Sequence, residues 1–201
     1  MTVTMQSTAV LVPETSVNGW IPGNRGIWVG ITCELIEFTL MFVVYFMARW
    51  YYPEVFADSL GRLSTGAGLT ITLCMLSSSA CLAASVVLIR QDNVAGSRYA
   101  LWLGLLLALC YPIAKVWEIR WNLEHGIDGD AGIFFGVYYY LTFNHLVHAS
   151  WGILGMVWCV VRHGFNAYSA DDHAGLEALA CYWHSTDMVW LIIFSLFYVL
   201  A

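Results

Sequence analysis

Carboxylates and imidazoles recur in this chain at helical spacing inside stretches that are otherwise apolar. Glu177, His184 and Asp187 fall in one such stretch, around Tyr182-Trp183-His184 and ahead of Trp190. On a helix their spacing of i, i+7 and i+10 sets all three on roughly one stripe. His145 and His148 stand one turn apart in a second stretch, with Asn144 beside them, and share a face. Glu34 and Glu37 do the same in a third, and Glu118 follows Lys115 at i+3 in a fourth, a spacing at which the two can pair.

Two kinds of chemistry use such a set. Carboxylates and imidazoles drawn from four helices can hold iron or copper, and histidines at matched depth can hold haem. Against this, the Glu-x-x-His motif of di-iron bundles is missing: Glu34 is followed three residues on by Glu37, Glu118 by Trp121, and His184-x-x-Asp187 runs in the reverse order. The other reading is a redox-inert bundle whose polar groups pair with one another, hold lipid head groups or assist proton uptake by a partner. No thiolate with a basic neighbour, glycine-rich phosphate loop or Ser/His/Asp signature is present. The residues by themselves leave both readings open, the alternative being a membrane metalloenzyme or haem protein built on His145, His148 and His184.

The elements that carry these groups are membrane spans. Charged residues make up 11% of the chain and mean hydropathy is +0.68, whereas a soluble domain is about 25% charged. The chain is therefore read as an all-α integral membrane protein, a bundle of five transmembrane helices, with no basic tract for nucleic acid. The spans are expected at about 26–48, 66–89, 99–121, 133–161 and 178–200, in one domain over 26–201. Residues 1–25 lack the basic and compact apolar regions of a signal peptide and read as a polar lead-in, with Trp20 placed to anchor at the interface.

Local features refine the bundle. Ser77-Ser78-Ser79 with Ala80, Ala83 and Ala84 reads as a close-packing surface. Pro112 is expected to kink the third span, and Arg120 beyond it to snorkel. Residues 52–64 read as a short polar loop. All six cysteines lie in apolar runs without a CxxC pair and read as small buried hydrophobes. Arg25, Arg90, Arg98 and Arg162 oppose Arg49, Arg62, Lys115 and Arg120 across the membrane, so charge does not orient the chain.

Ionisable groups at membrane depth are expensive and must find interior partners. The loop after Arg162 is short enough to make the last two spans antiparallel neighbours. His145, His148, Glu177, His184 and Asp187 are accordingly expected in one structural network between them. Glu34, beside Glu37, is expected to face a lipid-filled or wet cleft apart from it, with one of the two acids protonated.

At these residues the chain resembles subunit III of the haem-copper oxidase superfamily, in the small five-helix branch. That branch includes quinol oxidase subunit III and the accessory subunit associated with nitric oxide reductase, to which the chain is most similar. The resemblance covers residues 22–200. Its most specific piece is Glu177-Ala178 with Tyr182-Trp183-His184, Asp187 and Val189-Trp190-Leu191, matching E-A-x3-Y-W-H-x2-D-x-V-W-L. His145, His148 and Gly152 match H-x-x-H-V-x-x-G, and Glu34 falls at the family's buried glutamate of the first helix. Lys115-Val116-Trp117-Glu118 is similar to K-A-Y-E, and Leu76-Ser77-Ser78-Ser79 to L-T-S-S. The departures are an extra acid at Glu37, Ala149 in place of Val, Ser185-Thr186 in place of a bulkier pair, and the lack of the two extra N-terminal helices of seven-helix versions.

The resemblance implies a chain without catalysis, metal, haem or other cofactor of its own, packed beside a haem-copper catalytic subunit that carries the haem and the copper or iron. It implies membrane phospholipid in a cleft between the first two helices and the rest, and a role in the assembly, stability and proton delivery of a respiratory complex. Glu34, Glu37 and Glu118 take the lipid- and proton-related roles in that scheme. The implied location is a bacterial-type inner membrane with the N-terminus cytoplasmic.

Overall fold

The computed structural model describes residues 21–59 and 61–200. The lead-in read for residues 1–25 lies outside the described residues up to Trp20. Helix α1 spans Arg25–Tyr51, α2 Pro53–Ser59, α3 Thr65–Arg90, α4 Val94–Glu124, α5 Ile133–Gly164 and α6 Ala174–Phe194, which continues as a π-helical turn over Ser195–Val199. No strand occurs among the described residues.

The starts of these helices are written in the sequence. Asn24, Ser64 and Asn93 each stand just before a helix and accept a backbone N–H of its first turn, from Ile27, Ala67 and Gly96. Such caps satisfy donors that have no partner inside the helix. The segment 52–64, read as a loop, contains α2. Pro53 opens it with its φ already helical and Glu54 favours its N-terminal end, while Phe56 is buried. With one core residue in seven positions, α2 has too short a pattern to be read from periodicity.

α1, α3, α4 and α5 are each long and apolar enough to cross a membrane. α6 falls below them in hydropathy because it carries Glu177, His184 and Asp187. With its π turn it adds 21 and 5 residues, long enough for about 30 Å of hydrocarbon as the fifth crossing. α6 is also the hub of the bundle, packing against α3, α5 and α1. Trp183 and Trp190 point inward from it without exposure, and Trp190 Nε1 donates to Thr72 Oγ1 on α3 at 2.9 Å.

α3 and α4 form the closest pair. Asp92, at φ 60°, turns the chain between them. Ser78 donates to the Gly104 carbonyl at 2.8 Å and Ser85 to the Ser97 carbonyl at 3.0 Å. Of the serine and alanine surface, Ser78 and Ser79 are therefore packed inside the bundle, while Ser77, Ala80 and Ala84 are exposed. Pro112 lies within α4, which continues through it, and Arg120 is exposed near its end. The cysteine reading needs correction: Cys159 is buried, but Cys33 is exposed and Cys74, Cys81, Cys110 and Cys181 are partly so. A small apolar side chain facing lipid meets no penalty, so apolar surroundings in sequence do not imply a place in the core.

The α5–α6 contact depends on a missing side chain. A Cβ at Gly152 would lie 2.7 Å from Cε3 of the buried Trp183 ring. Gly152→Ala is expected to lower stability by about 1–3 kcal/mol, as overpacking does. Gly30→Ala, with nothing within 4 Å of the added carbon, should cause no loss. Thermal unfolding of both variants in detergent checks the pair.

Candidate functional site

The described structure divides the ionisable groups among several sites, each positioned by a different pair of helices. One lies where α1, α5 and α6 meet. Glu34 is 3% exposed and its Oε1 accepts from Thr186 Oγ1 on α6 at 3.0 Å. The His148 ring stands between the two acids, Nδ1 3.8 Å from Glu34 Oε1 and Nε2 3.4 Å from Glu37 Oε2. Phe38 meets that ring edge-on at 5.2 Å, and Tyr182 donates to the His148 carbonyl at 3.1 Å. Glu34 Oε2 is buried without a hydrogen-bond partner among the described residues, while the Glu37 side chain is 46% exposed. This is the candidate functional site: a buried and a half-exposed carboxylate with one imidazole between them.

His145, one turn before His148, is engaged separately. Its Nε2 lies 3.0 Å from the Thr186 carbonyl and its Nδ1 2.9 Å from Tyr111 Oη. A carbonyl only accepts, so Nε2 carries a hydrogen. Both ring nitrogens are thereby engaged within the protein, by a carbonyl and a phenol.

A third group is closed on itself. Lys115 Nζ donates to Glu118 Oε2 at 2.8 Å and to Tyr138 Oη at 3.0 Å, and Tyr198 Oη donates to Glu118 Oε1 at 2.6 Å. Lys115 and Glu118 are almost completely buried, with the ammonium 4.8 Å from the Tyr138 ring centre and 5.3 Å from that of Trp190. The i, i+3 pairing read from sequence is present, and two tyrosines that sequence spacing did not connect complete it.

The remaining groups of α6 face α3. Glu177 Oε1 accepts from Arg90 Nη2 at 2.6 Å and lies 3.0 Å from His173 Nε2, and Oε2 accepts from the Gly23 backbone at 3.0 Å. His184 Nδ1 pairs with Ser79 Oγ and lies 3.8 Å from Asp187 Oδ2. Serine and aspartate address the same ring nitrogen, so this is no nucleophile–base relay, which needs one on each side of the ring.

The single network expected between the last two spans is thus corrected. Glu177, His184 and Asp187 do share a stripe, but it faces α3, because α6 packs on α3 as fully as on α5. Glu34 does not stand apart: through Thr186 it adjoins the groups around His145 and His148. Thr186 escaped notice because a helical threonine ordinarily bonds back to its own helix. It does that too, with the Tyr182 carbonyl at 3.1 Å. Arg90 and Ser79, partners in place on α3, were likewise invisible without the packing.

The histidines of the metalloenzyme reading do not converge. Among the described residues no three His, Cys, Asp or Glu side chains gather where they could hold a metal ion. Between α1, α5 and α6 lies a cavity of about 510 Å³, lined by Asn24, Ile27, Trp151, Trp158, Arg162 and Tyr182 among others. α3 contributes nothing to this lining, whereas Ala83, Val86 and Arg90 of α3 line a smaller hollow against α6. Tyr168, in the loop after α5, closes one end beneath Arg162. Burial pushes its phenol well above the usual range, so it stays neutral.

The described helices form a multi-pass membrane bundle whose interior acids and bases are matched chiefly to one another. The chain belongs to the cytochrome c oxidase subunit III family, whose sequence model matches residues 21–201. It is 28% identical to cytochrome c oxidase subunit 3 of Thermostichus vulcanus, over 100% of this chain and 98% of that one. It is 25% identical to a probable quinol oxidase subunit 3 of Staphylococcus aureus, over 88% of each. A heme-copper oxidase subunit I+III of Aeropyrum pernix is 25% identical over 88% of this chain and 22% of its own length.

The closed lysine–glutamate group makes a sharp test of packing. Lys115→Met leaves a buried carboxylate without its cation and should lower stability by about 3–5 kcal/mol. Replacing both partners, Lys115→Met with Glu118→Leu, should recover most of that loss in denaturant unfolding.

Proposed function

We propose that this chain is a non-catalytic accessory subunit, seated beside the haem-bearing catalytic subunit of a haem-copper-type respiratory complex. It supports assembly and stability there, holds phospholipid and assists proton delivery, in a bacterial-type inner membrane with its N-terminus cytoplasmic. The observation that carries this reading is the use of its buried polar groups. His145 has both ring nitrogens engaged and Lys115 and Glu118 satisfy each other, so neither offers a centre for turnover. The Aeropyrum pernix relative named heme-copper oxidase subunit I+III supports a fixed neighbour relation between the two kinds of subunit.

Two features support the finer roles. The cavity at Arg162 combines apolar and aromatic walls with a guanidinium near the helix end, the combination that suits an acyl chain and a phosphate. Glu34, with one carboxylate oxygen unpartnered and an imidazole nearby, is a group that can take up and release a proton. Glu118 is bound into its closed group, which favours a structural role over the lipid- or proton-related one expected from sequence. Lys115-Val116-Trp117-Glu118 and Leu76-Ser77-Ser78-Ser79 favour a second reading of the partner, as a nitric oxide reductase in place of an oxidase.

Mild solubilisation and purification on a tag at Met1 should bring down a haem protein, whose spectrum and substrate choose between oxygen and nitric oxide. The chain separated from it should be colourless and free of redox metal. A stable single-component preparation with turnover of its own would overturn the proposal. Carbodiimide, which modifies protonated carboxyls in apolar surroundings, should label wild type at Glu34 and lose that label in Glu34→Gln.

A further inference from the structure

The surface of α1 around Glu37 combines two properties that are incompatible with lipid alone. Trp28 and Trp50, both exposed, stand 22 residues apart on α1. That is about 33 Å along the helix, the spacing of two interfacial anchors. Glu37 is nine residues in from Trp28, about 14 Å, and so lies near the middle of the membrane. Its carboxylate is 46% exposed there, the position at which a charge is most costly.

The described charges do not balance at this point. α1 contributes Glu34 and Glu37, α5 contributes His148 and His145, and α6 contributes the hydroxyls of Tyr182, Ser185 and Thr186. His148 faces both acids and supplies at most one positive charge to the two. Cations on the other helices have partners of their own: Lys115 with Glu118, Arg90 with Glu177, and Arg98 with His163 and Asn166. Glu34 Oε2, nine-tenths buried and more, has no hydrogen-bond partner among the described residues. Among the described residues Glu37 is paired only with the His148 ring, at 3.4 Å, and nearly half of its side chain stays exposed on the outer face of α1.

We infer that this face of α1 seats a transmembrane helix of the haem-bearing partner complex, which presents a cationic or hydrogen-bond-donating side chain to Glu37 at mid-membrane depth. The inference rests on the accessory-subunit reading and names its contact surface. Cys33, Glu37, Leu40 and Val44 follow at spacings of four, three and four residues and are all exposed, so they form one continuous stripe along which a helix can lie. Acyl chains offer no donor at this depth. A second copy packed symmetrically on the same stripe would set Glu37 against Glu37, which repels.

A benzophenone side chain introduced at Leu40 of the tagged chain, irradiated in the native complex, should cross-link to a subunit of the haem protein. Cross-linking only to lipid or to a second copy of this chain would overturn the inference, as would no product while the haem protein still co-purifies. Independently, Glu37→Lys should reduce the co-purified haem at least tenfold, and Glu37→Asp should retain it. Retention of wild-type haem by Glu37→Lys would also overturn the surface. If the wild-type chain itself brings down no haem protein, the accessory reading fails and this inference with it.

Discussion

Hydrocarbon offers a buried polar group no water to fall back on, and that one condition accounts for the internal layout of this bundle. Most acids and bases at membrane depth are held where another helix meets them. Lys115 and Glu118 close on each other with two tyrosines around them. His145 is locked between a phenol and a carbonyl. His184 is met by a serine from the neighbouring helix. The helix positions can be understood as the arrangement that brings these complements together, with the large aromatic side chains filling the space between.

α6 makes that arrangement possible because it is polar on more than one side. Glu177 and His184 address α3, with Asp187 beside His184, while Thr186 turns toward α1 and α5, its hydroxyl on Glu34 and its carbonyl on His145. A single residue thereby ties three helices at one level of the membrane. The substitution of Ser185-Thr186 for a bulkier pair, noted as a departure from the family pattern, acquires a physical meaning. The smaller side chain leaves room for the Glu34 carboxylate to approach and provides the hydroxyl that meets it.

The apolar stretches, their order and the family were legible in the sequence because long apolar runs and short motifs are local signals. The stripe on α6 was legible too, since helical periodicity fixes it. What sequence did not reveal is which neighbour a stripe faces. Glu177 was assigned to α5 but meets Arg90 on α3, a residue that in sequence was simply a cation at a helix end. The same limit explains Tyr138 and Tyr198, which are ordinary aromatic positions until three helices are packed together. Helix α2 escaped for another reason: seven residues with one buried aromatic make no period to read.

The bonds that hold α1 in place also say something about the order in which this bundle is completed. Gly23 to Glu177, Glu34 to Thr186 and Tyr45 to Leu196 join residues 154, 152 and 151 positions apart. The first of these requires a backbone at φ 73° and so close to Ala178 that a Cβ on Gly23 would lie 2.7 Å from its Cα. α3 and α4, by contrast, are neighbours in the chain and can pair as soon as both are made. During synthesis α1 therefore gains these three bonds only once α6 and its π turn have been made, so the seating of the earlier helix reports the arrival of the later one.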